Sequence, residues 1–213
     1  MAKLPDGIFG GFRGKIGNVV GVKRGDTFYI KSAPTTMKNP RTKKQQANRN
    51  RFGLASSMAA RLNPFINVSF RNVKEKTRRG AFISYNMKSA IQQSDEGPVI
   101  NYPELILSTG ILKQVESPIA ELKRDSDAEK IHLTWSDNSG EGNARGTDRV
   151  LILTITNRAK IAAYSIHDFV RADEFAELAL PASMKGKEIY LYLAILSKNG
   201  DMGAHSVFVP IGE

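Results

Sequence analysis

The stretch KIHLTWSD, residues 130–137, alternates apolar and polar side chains, and this alternation indicates the fold class of the second half of the chain. Successive side chains of a β-strand point to opposite faces, so Ile131, Leu133 and Trp135 share one face. We expect Trp135 to be a buried anchor of a hydrophobic core, because large aromatic side chains contribute strongly to such cores.

Similar strand-like runs lie on both sides of this stretch. Turn residues separate them at fairly regular spacing as far as the C-terminus. Short strands at such intervals are typical of a β-sandwich and not of alternating helices and strands. We therefore predict an all-β sandwich over residues 117–213.

Charge divides the chain near residue 94. Residues 1–94 carry 19 Lys and Arg against three acids, a net charge of +16, and residues 95–213 carry 12 against 18, a net charge of −6, which together give the chain's +10. This asymmetry indicates either a polyanionic partner for the basic half or a head-to-tail assembly in which opposite charges meet. We place the domain boundary near residues 93–103, with a basic domain at 1–94 and a linker or first strand at 95–116.

The opening GGFRGKIGNVVGVKRGDTFYIK, residues 10–31, combines six glycines with five basic residues. GNVVGVK and TFYIKS are predicted as strands, with a turn at KRGD, so the glycines shape a curved β-hairpin. The alternative is a phosphate-binding loop: GKIG matches the GXXG of KH domains, although Walker A and Rossmann patterns are absent. The RGD tripeptide is interpreted as a turn and not as an adhesion ligand.

Two helices are predicted between the opening and residue 93. The first is expected to begin at an Asn39 cap with Pro40 in its first turn, or at a Thr42–Gln45 capping box, and to end at Pro64. Its apolar face comprises Phe52, Leu54, Ala55, Met58, Ala59 and Leu62. The second is expected to span about Arg79 to Gln92. The first half of the chain is therefore α+β, a β-hairpin plus helices.

Basic side chains cluster through this first half and are the strongest functional signal. The predicted partner- or nucleic-acid-binding residues are Arg13, Lys15, Lys23, Arg24, Arg41, Lys43, Lys44, Arg49 and Arg51. A wider cluster adds Arg61, Lys74, Lys76, Arg78 and Arg79. Three interpretations remain open: a solvated basic surface, an acidic protein partner such as a neighbouring copy, and a nucleic acid bound through its phosphates.

No pattern in the sequence indicates an enzyme. The chain has no cysteine, its three histidines show no metal-ligand spacing, and no nucleophile-elbow motif occurs. SDNSGEGNARGTD, residues 136–148, is interpreted as a polar hairpin loop, with a calcium loop as the alternative. We predict no catalytic residues, no metal and no cofactor.

Membrane insertion and secretion are not indicated either. No apolar run reaches the ~18 residues of a membrane span. The N-terminal MAKLPDGIFGG lacks the apolar stretch of a classical secretory signal. The expected location is the cytoplasm or a virion, with no membrane partner and no small-molecule substrate.

Two resemblances add to this interpretation. Trp135, the pair Leu180-Pro181 and the following GKEIYLYLAIL resemble an immunoglobulin- or fibronectin type III-like sandwich, which implies that Tyr190 or Tyr192 lies on the penultimate strand. The whole chain also resembles an uncharacterised family frequent in Bacteroidota. GGFRGKIGNVVG, NPRT, QQ, SYNMKSAI, TWSDNSG and YLAILSKNG carry that resemblance.

The glycine-rich start joined to the NPRT…QQ helix is also similar to short proteins encoded beside phage structural genes. The expected function is thus a non-enzymatic structural or assembly protein of the kind found in a phage or prophage virion. Its basic half would dock into an oligomer through self-association or other assembly proteins, and its sandwich would present a surface. The alternative is a nucleic-acid-binding protein that grips the phosphate backbone through the basic half.

Overall fold

The computed structural model describes residues 3–5, 7, 10–33, 41–74, 77–124 and 129–212. The chain forms two compact units, Met1–Thr42 and Lys43–Glu213, which we call the first and second units. The predicted helix cap at Asn39 and Pro40 lies outside the described residues. The division falls before the helices and not at the change of charge near residue 94, because the helices share a hydrophobic core with the sandwich.

The first unit contains a three-stranded antiparallel sheet. Its strands, in spatial order, are β1 (Gly14–Ile16), β2 (Val19–Arg24) and β3 (Thr27–Ser32). Two-residue turns join them, and Gly17 (φ 55°) and Gly25 (φ 62°) adopt there the left-handed conformation that glycine tolerates. The predicted hairpin is confirmed, and the RGD tripeptide lies at its turn.

Three helices open the second unit: α1 (Lys43–Arg61), α2 (Asn63–Ser69) and α3 (Arg78–Asn86). The predicted break at Pro64 separates α1 from α2. Pro64 occupies the first turn of α2, where a backbone N–H would have no helical acceptor. The hydroxyl of Thr77 caps α3 by accepting a hydrogen bond of 3.1 Å from the backbone N–H of Gly80.

The prediction of a helix as far as Gln92 is wrong, because α3 ends at Asn86. The buried side chain of Asn86 donates to the carbonyl of Ile106 at 2.7 Å and accepts from the N–H of Ile106 at 2.8 Å, which ties the helix end to the chain that leads into the sandwich. Ile91 already belongs to a hairpin of β4 (Ile91–Ser94) and β5 (Gly97–Ile100).

The sandwich consists of two four-stranded sheets, as predicted. Its strands are β6 (Glu116–Arg124), β7 (Glu129–Ser136), β8 (Arg149–Thr156), β9 (Ala162–Val170), β10 (Phe175–Ala179), β11 (Ile189–Leu196), β12 (Val207–Val209) and β13 (Ile211–Gly212). One sheet has the order β10–β7–β6–β13 and the other β12–β11–β8–β9. This is an immunoglobulin-like arrangement. The fourth strand of the sandwich, β9, pairs with β8 in the sheet that also contains β11. All neighbours are antiparallel except β13, which pairs in parallel with β6.

Two hydrophobic cores share the strands β8 and β11. Val150 and Ile152 of β8 face the other sheet, whereas Leu151, Leu153 and Ile155 face the helices. Met58, Leu62, Phe65 and Phe82 of the helices cover that second face. The continuous apolar run of β8 follows from this double burial, since a strand covered on both sides has no polar face.

Trp135 lies in the core between the two sheets, as expected, and is 5% exposed. Its indole N–H donates to the carbonyl of Arg171 at 2.7 Å, so the polar end of the ring is satisfied within the core.

Candidate functional site

The sheet of the first unit separates cations from apolar side chains. Lys15, Val20 and Lys31 stand side by side across the three strands, and Val22 stands beside Tyr29. Because side chains alternate along each strand, these residues share one face with Arg13 and Arg24. We call it the basic face, and it brings together three of the predicted residues, Arg13, Lys15 and Arg24.

The opposite face of this sheet, which we call the apolar face, carries Ile16, Val19 and Ile30. They are 47%, 38% and 64% exposed, respectively. Lys23, another predicted residue, lies on this face, where its ammonium group is 5.1 Å from the centroid of the Phe28 ring, a cation–π contact. The described residues of the first unit include a single buried residue, Gly21.

Glycines allow aromatic rings to lie against the backbone of this sheet. A Cβ atom at Gly11 would come within 2.0 Å of the ring of Phe28, and one at Gly21 within 2.1 Å of the carbonyl oxygen of Phe12. These positions therefore need glycine for close packing. Gly14 and Gly17, which match a KH loop in sequence, lie in β1 and its turn and not between two helices.

The predicted residues near α1 have different environments. Lys43, Lys44 and Arg49 are exposed, as is Arg41 in the first unit. The guanidinium of Arg51 instead donates to the carbonyl of Ile91 at 2.6 and 2.9 Å and also to the carbonyl of Met87. Arg51 thus joins α1 to Met87, the residue that follows α3, and to Ile91, the first residue of β4.

Several arginines of the wider cluster also donate to backbone carbonyls. Arg61 reaches the carbonyl of Arg158 at 3.0 Å, Arg78 that of Asn67 at 2.8 Å, and Arg79 that of Ser56 at 3.0 Å. A guanidinium offers five N–H donors in a fixed plane, so it can bind a backbone carbonyl in a defined orientation. Part of the basic character of residues 43–94 is therefore used in folding. Lys76 lies outside the described residues.

The carboxylates of the loop after β7 do not converge. Asp137 accepts from the N–H of Ser139 at 2.9 Å, Glu141 pairs with Lys113, and Asp148 accepts from the N–H of Arg145 at 2.8 Å. Each carboxylate thus has its own partner. The prediction of a hairpin loop is wrong, because β7 and β8, which this loop joins, belong to different sheets. In the described part of the chain, no group of three or more His, Asp or Glu side chains is placed to hold a metal ion.

A buried ion pair, which the sequence did not indicate, holds this loop. Arg171 is fully buried, and its guanidinium donates to Asn138 Oδ1 at 2.5 Å, to the carbonyl of Lys113 at 2.7 Å and to Asp148 Oδ2 at 3.3 Å. Breaking such a pair leaves a buried charge uncompensated, so the pair fixes the loop onto the sandwich.

Three tyrosines connect the sandwich to the chain that precedes it. The rings of Tyr102 and Tyr190 stack with centroids 3.5 Å apart, and the hydroxyl of Tyr192 donates to the carbonyl of Tyr102 at 2.9 Å. Burial raises the pKa of Tyr102, Tyr190 and Tyr192 above the ordinary value, since a low-dielectric environment disfavours the phenolate. Both tyrosines that the resemblance singled out lie on β11, which two further strands follow, and not on the penultimate strand as expected.

The three histidines have separate surroundings. His132 Nε2 lies 2.9 Å from Glu177 on the outer face of one sheet, and His167 Nδ1 lies 3.1 Å from the guanidinium of Arg149 on the other sheet. The carbonyl of His205 accepts from Gln114 at 2.9 Å.

No described helix is both long enough and apolar enough to cross a bilayer.

The class of protein is thus a helix-backed immunoglobulin-like sandwich preceded by a small basic β-sheet. The chain belongs to a family of unknown function, DUF6266, whose sequence profile matches residues 11–210. Comparisons with curated proteins and with solved structures gave no significant match.

Proposed function

We propose that this protein is a non-enzymatic assembly protein that associates with further copies of itself through the sheet of the first unit. The observation that carries the proposal is the apolar face, on which Ile16, Val19 and Ile30 are exposed. A three-stranded sheet needs a covered hydrophobic face for stability. Burying a side chain such as isoleucine stabilises an interface by ~1.5–3 kcal/mol.

Charge supports a second copy as the partner. Residues 1–42 have eight Lys and Arg against two acids, a net charge of +6, and residues 95–213 have a net charge of −6. The first unit of one copy and the acidic part of another therefore attract each other, and opposite potentials across an interface fix its register. Such a head-to-tail contact generates rings or filaments.

The sequence resemblances support a particular kind of assembly. The similarity to short proteins encoded beside phage structural genes supports a phage or prophage virion, and the similarity to a Bacteroidota family supports a host in that group. In this proposal the first unit docks onto the neighbouring copy, and the sandwich presents a surface.

Two adjacent residues on opposite faces of β3 test the proposal. Ile30→Ser removes an apolar side chain from the apolar face, whereas Tyr29→Ser, the matched control, changes a residue on the basic face that is 44% exposed. We expect wild-type protein to form oligomers in analytical ultracentrifugation at low salt. Ile30→Ser should raise the dissociation constant by about tenfold or more, and Tyr29→Ser should have a smaller effect.

Two outcomes of this experiment would contradict the proposal. One is a wild-type protein that stays monomeric at high concentration and low salt. The other is dissociation by Tyr29→Ser but not by Ile30→Ser, which would assign the contact to the basic face.

A further inference from the structure

A cationic groove lies within the second unit, between α1, the hairpin strand β5 and the turn that joins β8 to β9. It encloses about 470 Å³, and four of its lining residues are basic: Arg49, Arg61, Arg158 and Lys160. The described residues that line it include no acidic side chain. We call it the α1 groove. Among these four, Arg49 is one of the predicted binding residues and Arg61 belongs to the wider basic cluster, whereas Arg158 and Lys160 were not predicted.

The floor of the α1 groove is one stripe of the helix. Arg49, Gly53, Ser57 and Arg61 recur every four residues and so lie above one another on α1. A Cβ atom at Gly53 would have no atom within 4 Å, so the middle of the stripe is open. At ~1.5 Å per residue, the two arginines stand roughly 18 Å apart along the helix. This spacing suits a linear polyanion that carries several successive charges, and not a single anion.

The far wall of the α1 groove is a strained turn. Arg158 and Ala159 both have positive φ, 55° and 48°, although neither is glycine. This left-handed conformation is unfavourable for residues with a Cβ, because the Cβ comes too close to the following carbonyl oxygen. Backbone strain of this kind clusters at binding and catalytic sites.

Specific contacts hold the strained turn in place. The backbone N–H of Arg158 donates to the hydroxyl of Tyr102 at 2.9 Å, and that hydroxyl donates to Asn157 Oδ1 at 3.1 Å. Arg61 donates to the carbonyl of Arg158 at 3.0 Å. These contacts orient the turn so that the side chain of Arg158 lines the groove.

An exposed aromatic ring lies at the Arg49 end of the α1 groove. Phe52 is 53% exposed and lines an adjoining depression together with Arg49, Gly53 and Met87. It was expected on the buried face of α1, where Ala55, Met58 and Ala59 do lie. A cationic groove that follows the phosphates, with an aromatic platform on which a base stacks, is the usual arrangement of proteins that bind single-stranded nucleic acids.

We propose that the α1 groove binds a single strand of nucleic acid, with successive phosphates along Arg49, Arg61 and Arg158 and one base stacked on Phe52. This activity goes beyond self-association and does not depend on it, because the groove belongs entirely to the second unit. Lys160 contributes less, since it also lines a neighbouring depression that contains Glu188.

Arg158→Gly tests the phosphate contacts without endangering the fold. Glycine adopts the φ of 55° at this position freely, so the variant should melt at or above the wild-type temperature. We expect its affinity for a fluorescein-labelled oligothymidylate, measured by anisotropy, to fall by about tenfold, as for loss of a charged hydrogen bond. The slope of log affinity against log salt should shrink by about 0.7, the value for one phosphate contact of a single strand.

Gly53 supplies a matched pair of variants on the groove floor. Gly53→Glu places an acid among the cations, and Gly53→Gln has nearly the same size without the charge; both are better helix formers than glycine. Gly53→Glu should abolish most oligothymidylate binding, and Gly53→Gln should retain more of it. Equal loss in the two variants would overturn the electrostatic role of the groove.

Phe52→Leu distinguishes a nucleic-acid strand from other phosphate chains. The variant should weaken binding of oligothymidylate but leave unchanged the competition by inorganic polyphosphate, which has no base to stack. The proposal is overturned if wild-type protein does not bind the oligonucleotide, if Arg158→Gly binds like wild type, or if orthophosphate competes as well as polyphosphate. Equal losses of both ligands in Phe52→Leu would overturn the assignment to nucleic acid. Ultracentrifugation of the same variants keeps this result separate from self-association, which they should leave intact.

Discussion

The sheet β12–β11–β8–β9 and the sheet β1–β2–β3 use the same hydrogen-bonding pattern but differ in what covers them. Every residue of β8 after Arg149 is buried, because the other sheet covers one face and the helices cover the other. In β3, by contrast, all residues except Phe28 are exposed. Backbone pairing alone therefore does not account for the stability of either sheet, and the difference lies in buried side chains.

The amino-acid compositions of the two sheets differ in the same way as their burial. The doubly covered strands are rich in Leu, Ile and Val, whereas the first sheet mixes glycine and cations with a few apolar residues. A strand buried on both faces stabilises a domain from within, while an uncovered sheet gains stability when a partner covers it. The second unit thus has the character of a scaffold with its own cores, and the exposed first sheet is the contact module of our proposal.

Truncating the sandwich core should have the largest effect and would test whether the second unit is such a scaffold. Trp135→Ala should lower the free energy of unfolding by ~3–5 kcal/mol, because it leaves a cavity between the sheets. Urea unfolding followed by circular dichroism measures this change, with Phe175→Ala, at a position 45% exposed on the outer face, as the control. Equal effects of the two substitutions would contradict the burial of the tryptophan.

A smaller effect is expected when a Cβ is added to the first sheet. Gly21→Ala brings a methyl group onto the carbonyl oxygen of Phe12. Overpacking of this kind costs ~1–3 kcal/mol. Hydrogen exchange should quicken at the amides of β2 and β3 and stay unchanged in the sandwich. Gly53→Ala, where a Cβ meets open space, is the control, and protection should rise there. Slower exchange in β2 of Gly21→Ala would refute the close approach.

Removing the hydroxyl of Tyr192 should have the smallest effect on the free energy of unfolding. It tests whether β11 is buried on the face that the helices cover. Tyr192→Phe leaves the Tyr102 carbonyl without this donor, at a cost of ~0.5–1.5 kcal/mol. The raised pKa of Tyr192 means that the folded protein keeps a proton that the unfolded chain loses near pH ~10, so stability present below that pH falls above it. Alkaline urea titrations should show a shallower fall in Tyr192→Phe, and an unchanged profile would count against the buried phenol.

Local patterns predicted the sandwich and the hairpin, because strand alternation and glycine turns are properties of neighbouring residues. The covering of β8 by helices was not predicted, since it joins segments far apart in the sequence. The change of charge suggested a boundary near residue 94, but charge describes the surface, whereas the compact units follow the shared core.

The same limit applies to the candidate sites. Arg51 was predicted as a binding residue from its charge. The sequence does not reveal that its guanidinium donates hydrogen bonds to the backbone carbonyls of Met87 and Ile91. The stripe of Arg49, Gly53 and Ser57 is visible as a period of four, but the turn at Arg158 that faces it comes from the sandwich. No sequence signal connects the two.

The hydrogen bond between Tyr192 and Tyr102 joins residues 90 positions apart, and it has a consequence for synthesis. Ribosomes add ~5–20 residues per second, so the helices wait on the order of 10 s for the strand that covers their apolar face. During that interval Phe65, Phe70 and Phe82 lack the part of their core that Tyr192 and Leu196 of β11 supply. Nascent chains therefore expose an apolar surface until β11 emerges, which makes them candidates for chaperone binding, and slower translation lengthens this exposure.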